Sequence, residues 1–564
     1  MNTIVIVGGV AAGMSCAARL RRLDEKVRII VLEKGDDISI ASCGLPYYVS
    51  GEISDERALR VQTPASVSAS LNLDIRVNHE ALAVDAAART VRVRTPNGEE
   101  EDLSYDALLL APGARSFALP IPGIDLPIVT TLRSIPDAIA VRELAAKGGR
   151  AVVIGAGFIG LEAAESLRLA GMEVALVEGG DHVLPPVEEE LSSLVADELE
   201  RLGIAVHESA VVTSIDEAGS GARVNVEGIE PLEADLVIVA VGARARTELA
   251  ESAGLSMVGG AIDVDEHGRT SDPRIWAAGD AALSTIQATG ARRPVQLAGP
   301  ASRAGRRIAD DIVGVLAGDP AAGPGAKPIV SPLGTAIVRV GELEVAMTGA
   351  NSRELHRAGV EYRMIHVHHA QHVGYFPGAS MMALIALVAE DGTLLGAQGV
   401  GKDGVARRID VLATAIRAGM KVDDLIDLDL AYAPPFGAPK DPVNMIGMAG
   451  ENLRDGMLEL WYPWDLEELR ATHLILDVRR DDEIAAGPRI PGALGIAHTQ
   501  LRARMDEVRE AAAGRPIAVH CRSGVRSYLA YRMLVDAGFE AASLDGGMLT
   551  LQAWAKRHPG LIEY

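Results

Sequence analysis

Only three cysteines, Cys16, Cys43 and Cys521, occur in 564 residues. They are too few and too scattered for a disulfide framework, and their scarcity suits a reducing cytoplasm. A cysteine with a task here is therefore catalytic sooner than structural. Aromatic residues are also sparse, at 3%, so the cores must be largely aliphatic, while the 59 glycines fit tight βα turns. Basic charge is in deficit: 77 Asp and Glu against 54 Lys and Arg leave a net −23. Such a balance argues against a nucleic-acid partner, because phosphate binding needs a basic face. No run of 18 or more apolar residues is present, so no helical membrane span is expected. The start, "MNTIVIVGGVAAG", enters a strand directly with no basic region or small-residue cleavage site, and a cytoplasmic location is the expectation.

The length allows three or four domains. "TIVIVGGVAAGMSCAARLRRL" reads as a buried strand, a glycine turn and a helix, with "VRIIVLEK" as the next strand. The order returns in "RAVVIGAGFIGLEAAESLRLAGMEVALVEGG". Short β-branched runs alternating with helical patterns indicate parallel βαβ units. The spacing predicts an α/β protein with one nucleotide-binding domain, 1–116 and 248–325, interrupted by a second at 117–247. An α+β domain follows at 326–450, then a linker at 451–465 and a small α/β unit at 466–564, a normal domain size.

"GAGFIG" follows a strand and opens a helix, the context a dinucleotide fingerprint requires. Gly155 permits the tight turn, Gly157 lets backbone approach a pyrophosphate, and Gly160 allows helix and strand to pack closely. With Phe158, Ile159, Glu162 and Gly242 these residues form the expected NAD site. Glu178 would hold a ribose 2′-OH, and Gly179 and Gly180 stand where NADP would want an arginine, so NADH is favoured over NADPH. The first loop, Gly8, Gly9, Val10, Ala11, Ala12 and Gly13, departs from the fingerprint at Val10. Glu33, 20 residues beyond Gly13, still ends the second strand, with Lys34 next. "TSDPRIWAAGD" matches the stretch where a flavin enzyme's chain returns to FAD, with Gly279 and Asp280 toward the ribityl chain. "LLLAPGA" supplies Ala111, Pro112 and Gly113 at a crossing between domains, and Leu297 and Ala298 complete the expected FAD site. No metal site is expected.

"CGLPYYVSG", "LAGPASRAG", "GYFPGA" and "LAYAPPFGAPKDPVN" carry a more specific signal. On them, residues 1 to about 450 resemble the single-cysteine, coenzyme A-disulfide reductase branch of the pyridine nucleotide-disulfide reductases. The whole chain resembles NADH-dependent persulfide reductases with a fused rhodanese domain. The resemblance implies that Cys43 is the redox nucleophile beside the flavin and that 326–450 is a dimerisation domain of a homodimer. It also implies that Tyr375 and Tyr432 assist catalysis from the partner subunit, and that Ser15, Arg19, Arg22, Ser39, Ser42 and Lys440 bind coenzyme A. Independently, Pro46 suits a first helical turn, and Cys43 at that helix start should have a lowered pKa. Arg19 and Arg22 lie three apart on one helix face, which suits phosphates or simply a solvated basic face that includes Arg21. Tyr375 and Tyr432 equally suit interface packing. Cys16 reads as core. The chain departs from the family at Ile40, Ser42 and Phe376, where Phe, Asn and Tyr are usual, which leaves the thiol carrier open.

In "HCRSGVRS", Cys521 ends a strand and the loop Arg522, Ser523, Gly524, Val525 and Arg526 opens a helix, forming an anion cradle. Four residues between Cys521 and Arg526 suit a sulfur atom where phosphatases keep five. The unit thus resembles a rhodanese, active or degenerate, with Arg522 and Arg526 beside the thiolate and with Asp477 and Arg479 structural. The expected function is NADH-driven reduction of a coenzyme A persulfide, polysulfide or coenzyme A disulfide, coupled to sulfurtransfer by Cys521. Two alternatives stay open: an NADH oxidase or peroxidase cycling a sulfenic acid, and a redox-sensing sulfur carrier.

Overall fold

The structure, a computed structural model, describes residues 2–117, 119–318 and 327–564. The expected boundary between 325 and 326 lies outside the described residues. The chain divides into two compact units, Met1–Gly179 with Ala210–Gly334, and Gly180–Ser209 with Thr335–Tyr564.

In the first unit, "TIVIV" and "RIIVL" are buried along almost their whole length. Strands apolar on both faces fit a parallel sheet covered by helices. The sheet runs Ile275–Ala277, Ala107–Leu110, Thr3–Val7, Arg28–Leu32, Asp74–Arg76, all parallel. Helix Ala11–Leu23 packs on one face with helix Ala298–Leu316. A Cβ at Gly305 would stand 2.1 Å from the Ala12 carbonyl oxygen, so the two helices meet backbone to backbone. Two buried acids on the later helix then find donors. Asp310 takes Arg19 at 2.7 Å, and Asp311 takes Arg269 at 2.7 Å and the Trp276 indole N–H at 2.8 Å.

A second parallel sheet in this unit runs Glu173–Val177, Arg150–Ile154, Leu236–Val239, Val129–Thr130. The crossing read in "LLLAPGA" is a two-stranded ribbon, Ala114–Ser116 antiparallel to Ala243–Ala245.

Residues 180–209, assigned from sequence to 117–247, group with the second unit. The reason lies in the acids around helix Glu189–Arg201. Glu188 accepts from the Ser352 N–H and the Gln398 amide, Glu190 from His366, and Glu198 from the Glu342 N–H. The unit's antiparallel sheet runs Ala336–Val340, Leu343–Gly349, Leu394–Gly401, Met381–Val388, Arg363–Ala370. Its parallel C-terminal sheet runs Leu460–Trp461, Ala541–Leu544, Ile517–His520, Leu474–Asp477, Leu494–Gly495. The stretch 451–465, expected to be a linker, is built into these elements. Helix Pro442–Arg454 runs into it, and Trp461 is buried, its indole N–H bonded to the Val519 carbonyl. A buried indole with a partner anchors a segment that composition alone reads as loose.

Arg21, grouped from sequence with a solvated basic face, is buried, and donates to the carbonyls of Leu71, Asp24 and Asn72. The helix contact at Gly305 yields a test. Gly305→Val should destabilise the first unit by about 1–3 kcal/mol through overpacking, seen by calorimetry as an earlier transition; an unchanged profile would contradict the backbone contact.

Candidate active site

Both glycine loops turn at a left-handed glycine, Gly8 at φ 108° and Gly155 at φ 98°. Each packs as tightly as it can: a Cβ on Gly13 would lie 1.9 Å from the Gly8 oxygen, and one on Gly160 the same distance from the Gly155 oxygen. A Cβ on Gly157 would meet nothing within 4 Å, so this position faces open space. The strand-ending carboxylates hold the loops from behind. Glu33 accepts from the Gly9 N–H at 2.8 Å and the Gly35 N–H at 2.9 Å; Glu178 accepts from the Ala156 N–H at 2.7 Å. Helices Ala11–Leu23 and Phe158–Leu169 have no side-chain N-cap and no acid in the first turn. Their first amides are thus left for an anion, which is what a dinucleotide pyrophosphate supplies.

The other expected FAD residues gather in the same unit. Ala111 continues the Ala107–Leu110 strand, its N–H on the Val7 carbonyl, and Gly113 turns at φ 72°. Gly279 and Asp280 follow the Ile275–Ala277 strand in a 3-10 turn. Burial pushes the Asp280 carboxyl up, against the pull of Arg133. Leu297 caps helix Ala298–Leu316. Lys34 is exposed and paired with Glu80 at 2.6 Å. Gly242, at φ 105°, accepts the Phe117 N–H through its carbonyl. The residues present fit FAD at the first loop and NAD at the second.

Cys43 occupies a 3-10 turn, Ser42–Gly44, that leads into the five-residue helix Leu45–Val49. It is the exposed cysteine; Cys16 and Cys521 are buried. A Cβ on Gly44 would come within 2.9 Å of a Leu59 methyl group, so a larger residue here asks that side chain to move. The expected lowering of the Cys43 pKa is reversed: surrounding protein raises it by desolvation, and the Glu162 carboxylate raises it further. A helix of one turn is too short to override these effects. Sequence reading missed the link behind this arrangement. The Tyr47 hydroxyl donates to Glu162 at 3.2 Å, and Arg142 stacks over Tyr48 at 4.3 Å, so the cysteine turn is tied to helices that follow it by a hundred residues. Nothing local in "CGLPYY" signals those partners.

Of the residues matched to coenzyme A binding, Ser15, Arg19 and Arg22 share one face of helix Ala11–Leu23. Arg19 is engaged by Asp310, whereas Arg22 is exposed. The Ser39 N–H bonds to the Gly9 carbonyl at 2.8 Å, bringing its loop to the glycine turn, and Ser42 begins the cysteine turn.

In the second unit, the Tyr375 and Tyr432 hydroxyls lie 3.4 Å apart and both rings are exposed. In the same unit the buried Arg408 donates to Asp441 and to the Gln371 carbonyl, each at 2.8 Å. Lys440, exposed, precedes Asp441, the cap of helix Pro442–Arg454. Tyr375, Phe376, Met381, Tyr432 and Phe436 leave apolar surface in solvent.

The Cys521 loop ends at Gly524, φ 91°, which begins helix Val525–Asp536. The Cys521 and Arg522 carbonyls accept from the Met548 and Leu549 N–H groups at 2.9 and 3.0 Å. Arg526, expected beside the Cys521 thiolate, gives both terminal nitrogens to Glu483 at 2.6 and 2.8 Å and keeps Cys521 within its electrostatic reach; the pair holds the Glu483 carboxyl down at about 2. Arg479 and Asp477 form a buried pair at 2.6 Å. Four histidines crowded into 366–372 passed unremarked in the sequence, yet His366 and His368 reach Asp545 and Thr550, which flank the residues bonded to this loop.

A chain with two dinucleotide-type loops and one exposed thiol has the construction of a two-nucleotide oxidoreductase. The pyridine nucleotide-disulphide oxidoreductase family matches residues 2–305, its dimerisation domain 335–441, and the rhodanese-like domain 464–555. The coenzyme A disulfide reductase of Staphylococcus haemolyticus is 31% identical over 460 residues, 80% of this chain and 100% of that protein. The crystal structure of reduced Bacillus anthracis CoADR-RHD superposes with a TM-score of 0.94 at 37% identity, covering 100% of this chain and 99% of the other. The NAD-dependent persulfide reductase of A. fulgidus does so at 0.89 and 38%, covering 97% and 99%. The chain belongs to the pyridine nucleotide-disulfide oxidoreductases and carries a C-terminal rhodanese-like domain. The family implies FAD and a pyridine nucleotide. Among the described residues no helix is long and apolar enough to cross a membrane.

The Cys43 environment predicts a pH profile. Alkylation of Cys43 should have its midpoint above the ordinary thiol value of 9.0, and Glu162→Gln should bring it down, since a neutral amide no longer opposes the thiolate. Rates followed by peptide mass spectrometry check this; an unmoved midpoint would remove Glu162 from the thiol's environment.

Proposed function

We propose that the enzyme reduces a sulfur–sulfur bond carried by coenzyme A or a related low-molecular-weight thiol, with Cys43 as nucleophile and NADH as donor, and that Cys521 performs sulfurtransfer. The observation that carries this reading is the exposed thiol of Cys43, where Cys16 and Cys521 are free and buried, with Glu162 of the "GAGFIG" helix tied to its turn through Tyr47. A lone exposed thiol without a neighbouring cysteine in the sequence fits a reaction whose second sulfur arrives on the substrate.

The Cys43 thiolate attacks the inner sulfur of a persulfide R–S–SH, the S–S bond breaks, and HS⁻ leaves as a Cys43–S–S–R mixed disulfide forms. Attack on the outer sulfur instead releases R–S⁻ and leaves a Cys43 persulfide. Either adduct needs two electrons to return to the thiolate and the second leaving sulfur. FAD held by Gly8, Gly9, Ala12, Gly13, Glu33, Asp280 and their neighbours, with NADH at Gly155–Gly160 and Glu178, supplies those electrons when bound. Glu178 favours an unphosphorylated ribose by accepting its 2′-OH and repelling a 2′-phosphate. Arg22, with Ser15 and Arg19 on the same face, suits the phosphates of the thiol carrier, and Lys440 adds a cation in the dimerisation domain. The exposed tyrosine pair and its apolar surroundings suit a homodimer interface, with the hydroxyls as donors to a leaving sulfur. In the C-terminal domain Cys521 takes a sulfane sulfur from a donor and passes it to a thiol. A cytoplasmic homodimer is the form in which we expect the enzyme to work.

The test is anaerobic NADH oxidation with coenzyme A persulfide, coenzyme A disulfide, polysulfide and peroxide side by side. Turnover with the sulfur substrates is expected; turnover with peroxide alone would replace this reading by a peroxidase. Cys43→Ser should lower reduction of every sulfur substrate by about a thousandfold or more, as loss of a nucleophile does. Cys521→Ser should remove thiosulfate or polysulfide sulfurtransfer and spare coenzyme A-persulfide reduction; retained sulfurtransfer would sink the C-terminal assignment.

A further inference from the structure

A buried cluster of charges in the second unit, at His366, Glu190 and Asp545, lies outside every residue the proposed chemistry uses. His366 is fully enclosed, its Nε2 2.6 Å from Glu190 and its Nδ1 2.5 Å from Asp545, both acids also buried. Its backbone N–H donates to both Asp545 oxygens, at 3.0 and 3.2 Å. The three residues come from three places: strand Arg363–Ala370 of the antiparallel sheet, helix Glu189–Arg201, and the turn after strand Ala541–Leu544 of the C-terminal domain. Burial alone would push the His366 imidazole down, but Asp545 and Glu190 overcome it and lift it to about 10. A cation between two anions is what a dry site of this composition needs.

The Asp545 side leads directly to the Cys521 loop. Asp545 is followed by Gly546 and Gly547, both in the left-handed region at φ 65° and 66°. A Cβ on Gly547 would stand 2.8 Å from the Cys521 oxygen, the Arg522 carbonyl carbon and the Ser523 nitrogen. The next two N–H groups, of Met548 and Leu549, are those that bind the Cys521 and Arg522 carbonyls. His368, two residues along the same strand face, bonds Thr550 at 2.8 Å; burial, His366 and Arg522 together hold it neutral. The strap 545–550 is therefore gripped by histidines at both ends and by the sulfurtransfer loop in its middle.

We propose that His366, clamped between Glu190 and Asp545, is a positioning residue for the Cys521 loop, which it orients from the dimerisation domain through the strap 545–550. The sulfurtransfer consequence rests on the proposed role of Cys521; the geometric consequence does not. Without His366 the strap loses its anchor, the Met548 and Leu549 contacts loosen, and the loop amides no longer converge on the sulfur.

His366→Gln and Asp545→Asn in the full-length holoenzyme test this. Sulfurtransfer is measured from thiosulfate to dithiothreitol, and Cys521 accessibility from iodoacetamide labelling followed by peptide mass spectrometry. For His366→Gln we expect kcat to fall about tenfold with KM for thiosulfate little changed, while Cys521 labelling speeds up about tenfold; Asp545→Asn, whose amide oxygen still accepts the His366 N–H, should fall between. Opposite signs in the two readouts separate a misplaced loop from general damage, which lowers kcat without a selective gain at Cys521. Should His366→Gln fail to fold, Asp545→Asn decides alone. Parental kcat and labelling in a folded variant would overturn the proposal. If the parent lacks sulfurtransfer but labelling still rises in the variants, the positioning role stands and the sulfurtransfer reading falls.

Discussion

Helix Ala298–Leu316 can lie against helix Ala11–Leu23 because position 305 carries no side chain where the Ala12 carbonyl must pass. Much of the first unit depends on that approach. It sets Asp310 against Arg19, and Asp311 against Arg269 and Trp276. Those bonds hold the strand Ile275–Ala277 in register beside Ala107–Leu110, and that strand delivers Gly279 and Asp280 to the neighbourhood of the first glycine loop. The loop in turn keeps its shape because Gly13 lets the helix start sit on the Gly8 carbonyl. Backbone proximity, set by glycines far apart in the chain, therefore decides where the charged residues can meet.

The parallel sheets, the two glycine loops and the helix start beside Cys43 were legible in the sequence, because each is a local pattern: β-branched runs, a turn that only glycine makes, a proline at a first helical turn. Glu33 and Glu178 were legible for the same reason, standing at the end of a strand whose neighbour in space is also its neighbour in sequence. Tyr47 with Glu162 and the buried burden of Arg21 were not. Each depends on partners fifty to a hundred residues away, and nothing in a tyrosine or an arginine announces which carbonyl or carboxylate will face it. The Cys43 thiol shows the limit most plainly. The nearby Pro46 correctly marked a helix, but the helix is one turn long, and burial and Glu162 outweigh its dipole. The stretch 451–465 failed in the opposite sense, since a single indole buried against Val519 turns an unpatterned segment into structure.

In the second unit the acids around helix Glu189–Arg201 meet a histidine, an amide and backbone N–H groups, and Glu198 also pairs with Arg201. His366 and Gln398 stand on the antiparallel sheet, Glu342 in a turn between its strands and Ser352 at the start of helix Ser352–Ala358, which explains why thirty residues that follow the "GAGFIG" unit in sequence join the C-terminal half in space.

Arg21 also joins distant parts of the chain. Its guanidinium bonds Asp24 at the end of its own helix and, far along the chain, Leu71 and Asn72, closing an excursion of about fifty residues on which the Cys43 turn is carried. Closing a flexible loop of that length costs about 3.5 kcal/mol in chain entropy. The two Arg21 hydrogen bonds that span the excursion, to Leu71 and Asn72, come from a charged donor and contribute about 1.5–3 kcal/mol each, which is comparable to that cost. The segment that carries Cys43 is thus held on one side by strand Arg28–Leu32 and the Ser39–Gly9 bond and on the other by the Arg21 clasp, so displacement of the cysteine turn is opposed from both ends of the segment.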